Sequence, residues 1–212
     1  MKKEPIILIG GGGHCISCID VIEQSNRFDI IGILDLPEKV GSSIQNYPII
    51  GTDENIGLFA KKCSNFHITI GQIKSSLKRE IIYREIKKNN GILPIIISPF
   101  SYVSKNAIIS EGSIVMHNAI VNASAKIGCC CIINSKALIE HDAVIGDFCH
   151  ISTASIVNGK SNIGSKSFIG SNSVIGNNIF IKDETIISAG SIVLKDIAVS
   201  GIYFGNNKKK SH

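Results

Sequence analysis

The chain has 212 residues, enough for one large or two small domains. Its 22 Lys and Arg exceed its 17 Asp and Glu by five, but much of the excess lies in Lys74 to Lys88 and in Lys208, Lys209 and Lys210, as a solvated helix face and a tail would place it. With no Trp and only 6% aromatic residues, an RNA-binding sheet is not expected and no nucleic-acid partner is read, although a modest positive field suits small anions such as phosphates.

Met1-Lys2-Lys3-Glu4-Pro5 leads into a short strand, Ile6 to Ile9, which lacks the apolar region and small-residue cleavage site of a signal peptide. No stretch of eighteen apolar residues occurs, so a soluble, cytoplasmic protein without membrane contact is expected. The strand enters Gly10-Gly11-Gly12-Gly13-His14 and is followed by a helical pattern through Cys15, Ile19 and Ile22. Cys15 and Cys18 have the spacing of half a zinc site with no second pair. These two and the consecutive Cys129, Cys130 and Cys131 read as reduced, structural thiols.

A second strand, Phe28 to Leu34, ends at Asp35, where an acidic residue meets a ribose in nucleotide-binding βαβ units. Pro48 to Gly51, an amphipathic stretch from Asp53 to Cys63, a strand at His67 to Gly71 and a helix from about Ser75 to Lys88 complete a Rossmann-like α/β domain. Pro94 and Ser98-Pro99 mark its end, giving domains at 1–95 and 96–212. Gly10 and Gly12 match two glycines of a dinucleotide fingerprint, but Cys15 stands where the third belongs. A nucleotide-phosphate site at Gly10 to His14 is therefore preferred to NAD, with a ligand-free tight turn as the plain alternative.

From Val103 to Val193 every sixth residue is Ile or Val, sixteen positions in unbroken register. Four residues later lies Ala, Ser, Cys or Thr in fourteen of the sixteen, Ile179 and Ile197 being the exceptions. A period of six fits neither helix nor alternating strand but suits a short strand and a tight corner, which makes a parallel β-helix with one branched and one small residue inward. Gly128, Gly146, Gly164, Gly170 and Gly176 follow the branched residue, and Asn, Asp, Lys and Ser crowd the next two positions as corner residues. With three hexapeptides per coil, His141 stacks on Gly159, eighteen residues on, so that a base lies beside a backbone amide able to hold an oxyanion. Asp142 follows directly and can fix the ring's tautomer. A corner histidine without function remains the bland alternative.

The ladder resembles the left-handed β-helix acyltransferases, and its combination with a Gly-rich Rossmann-like unit is similar to the branch that N-acetylates nucleotide-linked 4-amino sugars or O-acetylates sialic acids. The most specific stretch is Ile139-Glu140-His141-Asp142-Ala143-Val144-Ile145-Gly146-Asp147-Phe148-Cys149-His150-Ile151-Ser152. The resemblance implies His141 as general base, Asp142 as its partner, Gly159 as the amide on the acetyl carbonyl and His150 as a residue shaping the site. It also implies His14 near the sugar, Asp35 on the nucleotide with Gly10, Gly12 and Gly13 around it, and acetyl-CoA as cosubstrate along Gly159, Gly170, Ser171 and Gly205. Asp35 is followed by Leu36 where many members have a second acid, and Gly205-Asn206-Asn207-Lys208 replaces a Gly-x-Pro-Ala-Lys-like segment.

The resemblance implies direct acetyl transfer, without a covalent enzyme intermediate, to a nucleotide-linked 4-amino sugar, with sialic acid O-acetylation as the alternative. Cys149 lies in an inward small-residue slot and reads as packing. A homotrimer is expected, with Ala119, Ala137 and Ile179 in a ladder that invites symmetric packing. A carbonic-anhydrase-like or scaffold β-helix is the remaining class. His117, His141 and His150, separated by 24 and 9, do not stack, so no metal is expected.

Overall fold

A computed structural model describes residues 3–205 and the backbone of 208–209. The chain divides into two compact units, one formed by residues up to Gly71 with Leu77–Ile96, the other by Gln72–Ser76 with the chain from Ile97 onward.

The first unit is a Rossmann-like α/β layer. Its elements are β1 (Glu4–Ile9), α1 (Gly13–Ser25), β2 (Phe28–Leu34), β3 (Ser43–Ile44), β4 (Tyr47–Gly51), α2 (Ile56–Ala60), β5 (Asn65–Ile68) and α3 (Leu77–Lys88). The sheet order is β3-β4-β2-β1-β5, parallel except for β3 at the edge. Ile6 to Ile9 are buried on both faces, as a central parallel strand requires. α1 stops at Asn26, which takes the left-handed conformation (φ 53°) and donates its N–H to the Glu23 carbonyl. Strands leave β1 toward β2 on one side and β5 on the other, so the loop after β1 sits at the point where strand order reverses. Ligands of open α/β sheets bind there.

Two elements differ from the sequence expectation. β5 lies at Asn65–Ile68 rather than 67–71, since Thr69 turns its hydroxyl to the carbonyls of Ile9 (3.0 Å) and Gly10 (2.6 Å). β3 was not expected. It forms a hairpin with β4 across Gln45-Asn46, with Gln45 at φ 51°, a pair without the usual Asn-Gly signature.

The second unit is a left-handed parallel β-helix. Two-residue strands pair with strands eighteen residues away, as in Ile120↔Leu138, Lys126↔Val144 and Ile132↔His150, so one coil is three hexapeptides. The Ile and Val column is buried from Val115 to Val193, and burial of each such side chain contributes roughly 1.5–3 kcal/mol. The small slots are polar as well as small. Ser161 Oγ donates to the Gly176 carbonyl and accepts from the Ile179 amide at 3.1 Å, bridging a corner to the next coil.

The corners follow a second period of six. Gly112, Gly190 and the twelve residues between them at six-residue steps, Phe148 and Ala154 included, all have φ between +51° and +71°. That conformation costs an ordinary residue roughly 1 kcal/mol or more. It persists because corner amides are bonded to the previous coil, as in Asp142 N to Ala123 O (3.1 Å) and Phe148 N to Cys129 O (2.8 Å). The glycines after the branched residues serve another purpose: a Cβ added at Gly146 would lie 2.6 Å from Ser165 N of the next coil.

Ala119, Ala137 and Ile179 belong to the core, which corrects the expectation that they offer an assembly ladder. The outward apolar row is Tyr102, Ile120, Leu138, Ile156, Val174 and Ile192, on the strands of one face.

Candidate active site

The corner at 140–142 stands directly above the corner at 158–160. Both His141 and Gly159 lie two residues beyond the buried branched position, Ile139 or Val157, so coil stacking superposes them. A Cβ added at Gly159 would fall 2.8 Å from both Cε1 and Nε2 of His141, so only glycine leaves the ring its place. His141 Nδ1 lies 2.9 Å from Asp142 Oδ2, and because a carboxylate only accepts, Nδ1 carries the proton and Nε2 presents its lone pair. Asp142 reaches the ring because its own backbone is left-handed, φ 60°, a conformation that Asp tolerates. Glu140 Oε2 accepts from Asn122 Nδ2 (2.9 Å) and from the His141 amide (3.3 Å), holding the corner beneath the ring. The ring is more than half exposed. Among the described residues, the Gly159 amide donates to no acceptor.

His150 is placed differently. It is buried, Nδ1 donates to the Gln72 carbonyl at 2.7 Å, and Nε2 accepts from Asn134 Nδ2 at 3.1 Å. Gln72 also donates from Nε2 to the Lys166 carbonyl at 3.3 Å, and Phe168 packs edge-on against the imidazole. Nδ1 therefore fastens Gln72 to the β-helix, while Nε2 is held by Asn134 of the preceding coil. Spacing along the repeat carries no sign of this long-range clamp.

Gly170 and Ser171 occupy the corner before strand Val174–Ile175, whereas Gly159 follows strand Ile156–Val157. The two corners border opposite edges of one face, so a single β-helix does not bring Gly159 together with Gly170. A Cβ at Gly170 would lie 2.4 Å from Ala189 N, which accounts for that glycine by coil stacking alone. Ser171 Oγ is 2.9 Å from Ser152 Oγ. Gly205 (φ +63°) is exposed, and its carbonyl accepts from Ile192 N at 3.1 Å. Asn206 and Asn207, in the segment expected at the cofactor, lie outside the described residues, as do Lys210 and the side chains of Lys208 and Lys209.

Cys149 is fully buried with its Sγ 3.1 Å from the Gly164 carbonyl, a packing position. His117 places Nδ1 2.6 Å from Ser98 Oγ, away from the His141 corner. All seven cysteines are free thiols. Burial pushes Cys15 up to about 11 and raises Cys18 well above the ordinary thiol range. Among the described residues no cluster of three His, Cys, Asp or Glu side chains has the arrangement of a metal site, and no helix is long and apolar enough to cross a membrane.

In the first unit the strand ends converge on a cavity of about 430 Å³, a size typical of small-ligand sites. Gly10 to His14 line one side, Thr69 to Gly71 another, and Asp35, Lys39, Asp53 and Lys78 the rim. Gly10 must be glycine: it has φ +102°, and a Cβ would strike Ile70. Gly12 and Gly13 have no protein atom within 4 Å of an added Cβ, so packing does not demand them, and they leave open space before the α1 amides. Gly12 is the N-cap, with no side-chain cap and no acid in the first turn, so no side chain of the turn itself offsets the positive end of α1. His14 lines the cavity with Nε2 3.4 Å from Cys18 Sγ. Asp35 is largely buried, bonded to Lys39 Nζ at 2.8 Å and pressed against Gly11.

Sequence reasoning did not single out Lys39, Asp53, Thr69 or Lys78. The i,i+4 spacing of Asp35 and Lys39 was a legible signal. The Lys78–Asp53 ion pair, across 25 residues, was not.

A glycine loop at the switch point of a parallel sheet, followed by a left-handed hexapeptide helix that stacks histidine on glycine, defines a hexapeptide-repeat acyltransferase. Comparison with known proteins agrees. Residues 5–86 match the PglD N-terminal domain, and residues 96–206, more than half of the chain, match the GMPPB C-terminal domain. PerB from Caulobacter crescentus, solved with CoA and GDP-perosamine, superposes with a TM-score of 0.91 at 26% identity, covering 98% of this chain and 97% of that one. The acetyltransferase domain of PglB from Neisseria gonorrhoeae, solved with acetyl coenzyme A, has a TM-score of 0.91 at 25% identity, covering 99% and 100%. WeeI from Acinetobacter baumannii, at 21% identity and a TM-score of 0.82 over 95% and 97%, shares the fold. No sequence match to a curated protein reaches significance. The chain belongs to the hexapeptide-repeat family of nucleotide-amino-sugar acetyltransferases, with a PglD N-terminal domain ahead of a β-helix of the GMPPB C-terminal domain family.

Proposed function

We propose that the protein transfers the acetyl group of acetyl-CoA to the 4-amino group of a nucleotide-activated sugar. The observation that carries this reading is His141, its Nδ1 proton held by Asp142 and its Nε2 free, stacked on Gly159 with an unengaged amide. The amine attacks the thioester carbon while Nε2 takes its proton, and the Gly159 N–H stabilises the oxygen as it becomes negative. Collapse of the tetrahedral intermediate breaks the C–S bond, and the imidazolium returns its proton to the departing thiolate. The glycine-loop cavity binds the nucleotide, its diphosphate before the α1 amides and its ribose at Asp35. PerB, at 26% identity, was solved with a nucleotide-linked amino sugar and CoA, which supports the same pairing of substrates here.

The outward row from Tyr102 to Ile192 supports the homotrimer, since cyclic packing across that face would set the 158–160 corner of one copy beside the 170–172 corner of the next. That arrangement would unite Gly159 with the cofactor residues Gly170 and Ser171. Light scattering of Ile120→Asp is expected to show monomers with lost activity, whereas a fully active wild-type monomer would exclude it. The reaction is tested by thiol release from acetyl-CoA across GDP- and UDP-linked 4-amino sugars and free or CMP-linked sialic acids. Turnover is expected with a 4-amino sugar, and preferential acetylation of a sialic acid would overturn the assignment.

A further inference from the structure

The glycine-loop cavity continues into a smaller one of about 190 Å³, lined by Asp35, Leu36, Pro37, Thr52, Asp53, Glu54 and Lys78. The two cavities share Asp35, Leu36, Asp53 and Lys78, so a ligand with its phosphates at the α1 amides and its ribose at Asp35 would place its base in the smaller one. Leu36 and Pro37 are exposed and form an apolar ledge, suited to the flat face of a heterocycle. Leu36 and Pro37 carry no hydrogen-bonding side-chain group, so hydrogen-bonded recognition has to come from the opposite wall. There the Thr52 amide is already satisfied by Asn55 Oδ1 (2.8 Å), and Asp53 is paired with Lys78. Glu54 is exposed and, among the described residues, has no hydrogen-bond or ion-pair partner.

A carboxylate only accepts, and two acceptor oxygens side by side match a base with two adjacent donors on its Watson–Crick edge. Guanine has that pair in N1–H and the N2 amino group. Uracil offers a single N3–H between two carbonyl oxygens, both of which would meet the carboxylate repulsively. We infer that the smaller cavity is a base pocket selective for guanine, read by Glu54 over the Leu36–Pro37 ledge, so that the acceptor is a guanosine-diphosphate sugar. This rests on the nucleotide-sugar reading above and extends it to the identity of the base.

The test is calorimetric binding of GDP and of UDP to wild type and to Glu54→Gln, alongside the KM of GDP- and UDP-linked 4-amino sugars. A bidentate base contact is worth about 10- to 100-fold in discrimination. Wild type is expected to bind GDP at least about tenfold more tightly than UDP. Glu54→Gln is expected to bring the two within about threefold while leaving the acetyl-CoA KM unchanged, because one carboxylate oxygen becomes a donor facing a donor. Equal or tighter binding of UDP, no binding of either nucleotide, or a Glu54→Gln preference equal to wild type would each overturn the inference. If GDP is preferred through Glu54 but no 4-amino sugar is acetylated, the base pocket stands and only the proposed reaction fails.

Discussion

Replacing Gly159 by Ala tests the stacked histidine and glycine most directly. The new Cβ would sit 2.8 Å from Cε1 and Nε2 of His141, against the roughly 3.5 Å that such atoms require, so the ring must retreat by about 0.7 Å. The backbone at 159 is not among the positive-φ residues, so alanine adds no torsional strain there. The ring is more than half exposed and can move outward, so the folding cost should stay within about 0.5 kcal/mol. A misplacement of about 1 Å costs on the order of 100-fold in rate. We therefore expect kcat, followed by thiol release at saturating acceptor and acetyl-CoA, to fall about 100-fold with an unchanged unfolding temperature. Combined with His141→Ala, the second substitution should add little, because both disable one device. Activity within threefold of wild type in the folded Gly159→Ala protein would refute the reasoning, and so would full additivity in the double variant.

Three further expectations follow from the same geometry. His141→Ala should lower kcat by about 10² to 10⁴ while the corner stays folded, and Asp142→Asn should cost less because it removes the ring's partner and leaves the base; an Asp142→Asn loss as large as that of His141→Ala would contradict these roles. Asp35→Ala removes a carboxylate from the glycine-loop cavity and should raise the acceptor KM with little effect on that of acetyl-CoA, the reverse pattern assigning the cavity to the cofactor instead. His67 is wholly buried, and burial, with the charges of His14 and Arg79 nearby, pushes it down to about 3 from 6.5. The unfolded chain therefore binds the proton more readily, so stability is complete above about pH 6.5 and falls as pH drops toward 3 at up to roughly 1.4 kcal/mol per pH unit, about 2 kcal/mol by pH 5. Amide exchange in β1 and β5 should show this slope, and His67→Leu should flatten it; an unchanged slope in that variant would assign the acid sensitivity to other groups.

Much of the molecule was legible because its order is local or strictly periodic. A branched residue every six positions specifies strand and corner without reference to distant sequence, and the eighteen-residue coil then dictates that Gly159 lies against His141. β1, α1 and β2 were likewise readable from an apolar run, a glycine loop and a helical pattern. Only the tertiary structure decided features that depend on partners far along the chain. Phe148 and Ala154 hold left-handed corners against their own preference because the amides there bond the previous coil. Ala119, Ala137 and Ile179 face inward, as the period already implied for the slot four after each branched residue, so the row open to another copy is the one from Tyr102 to Ile192, which the layout of the coil faces reveals. The partners of His150, Gln72 and Asn134, could not be read from spacing along the repeat, and Lys78 reaches Asp53 from a helix that the sequence could place but not aim. Periodicity specifies which residues share a face of their own element; which side chains meet across elements is set by how the layers pack, and no single segment encodes that.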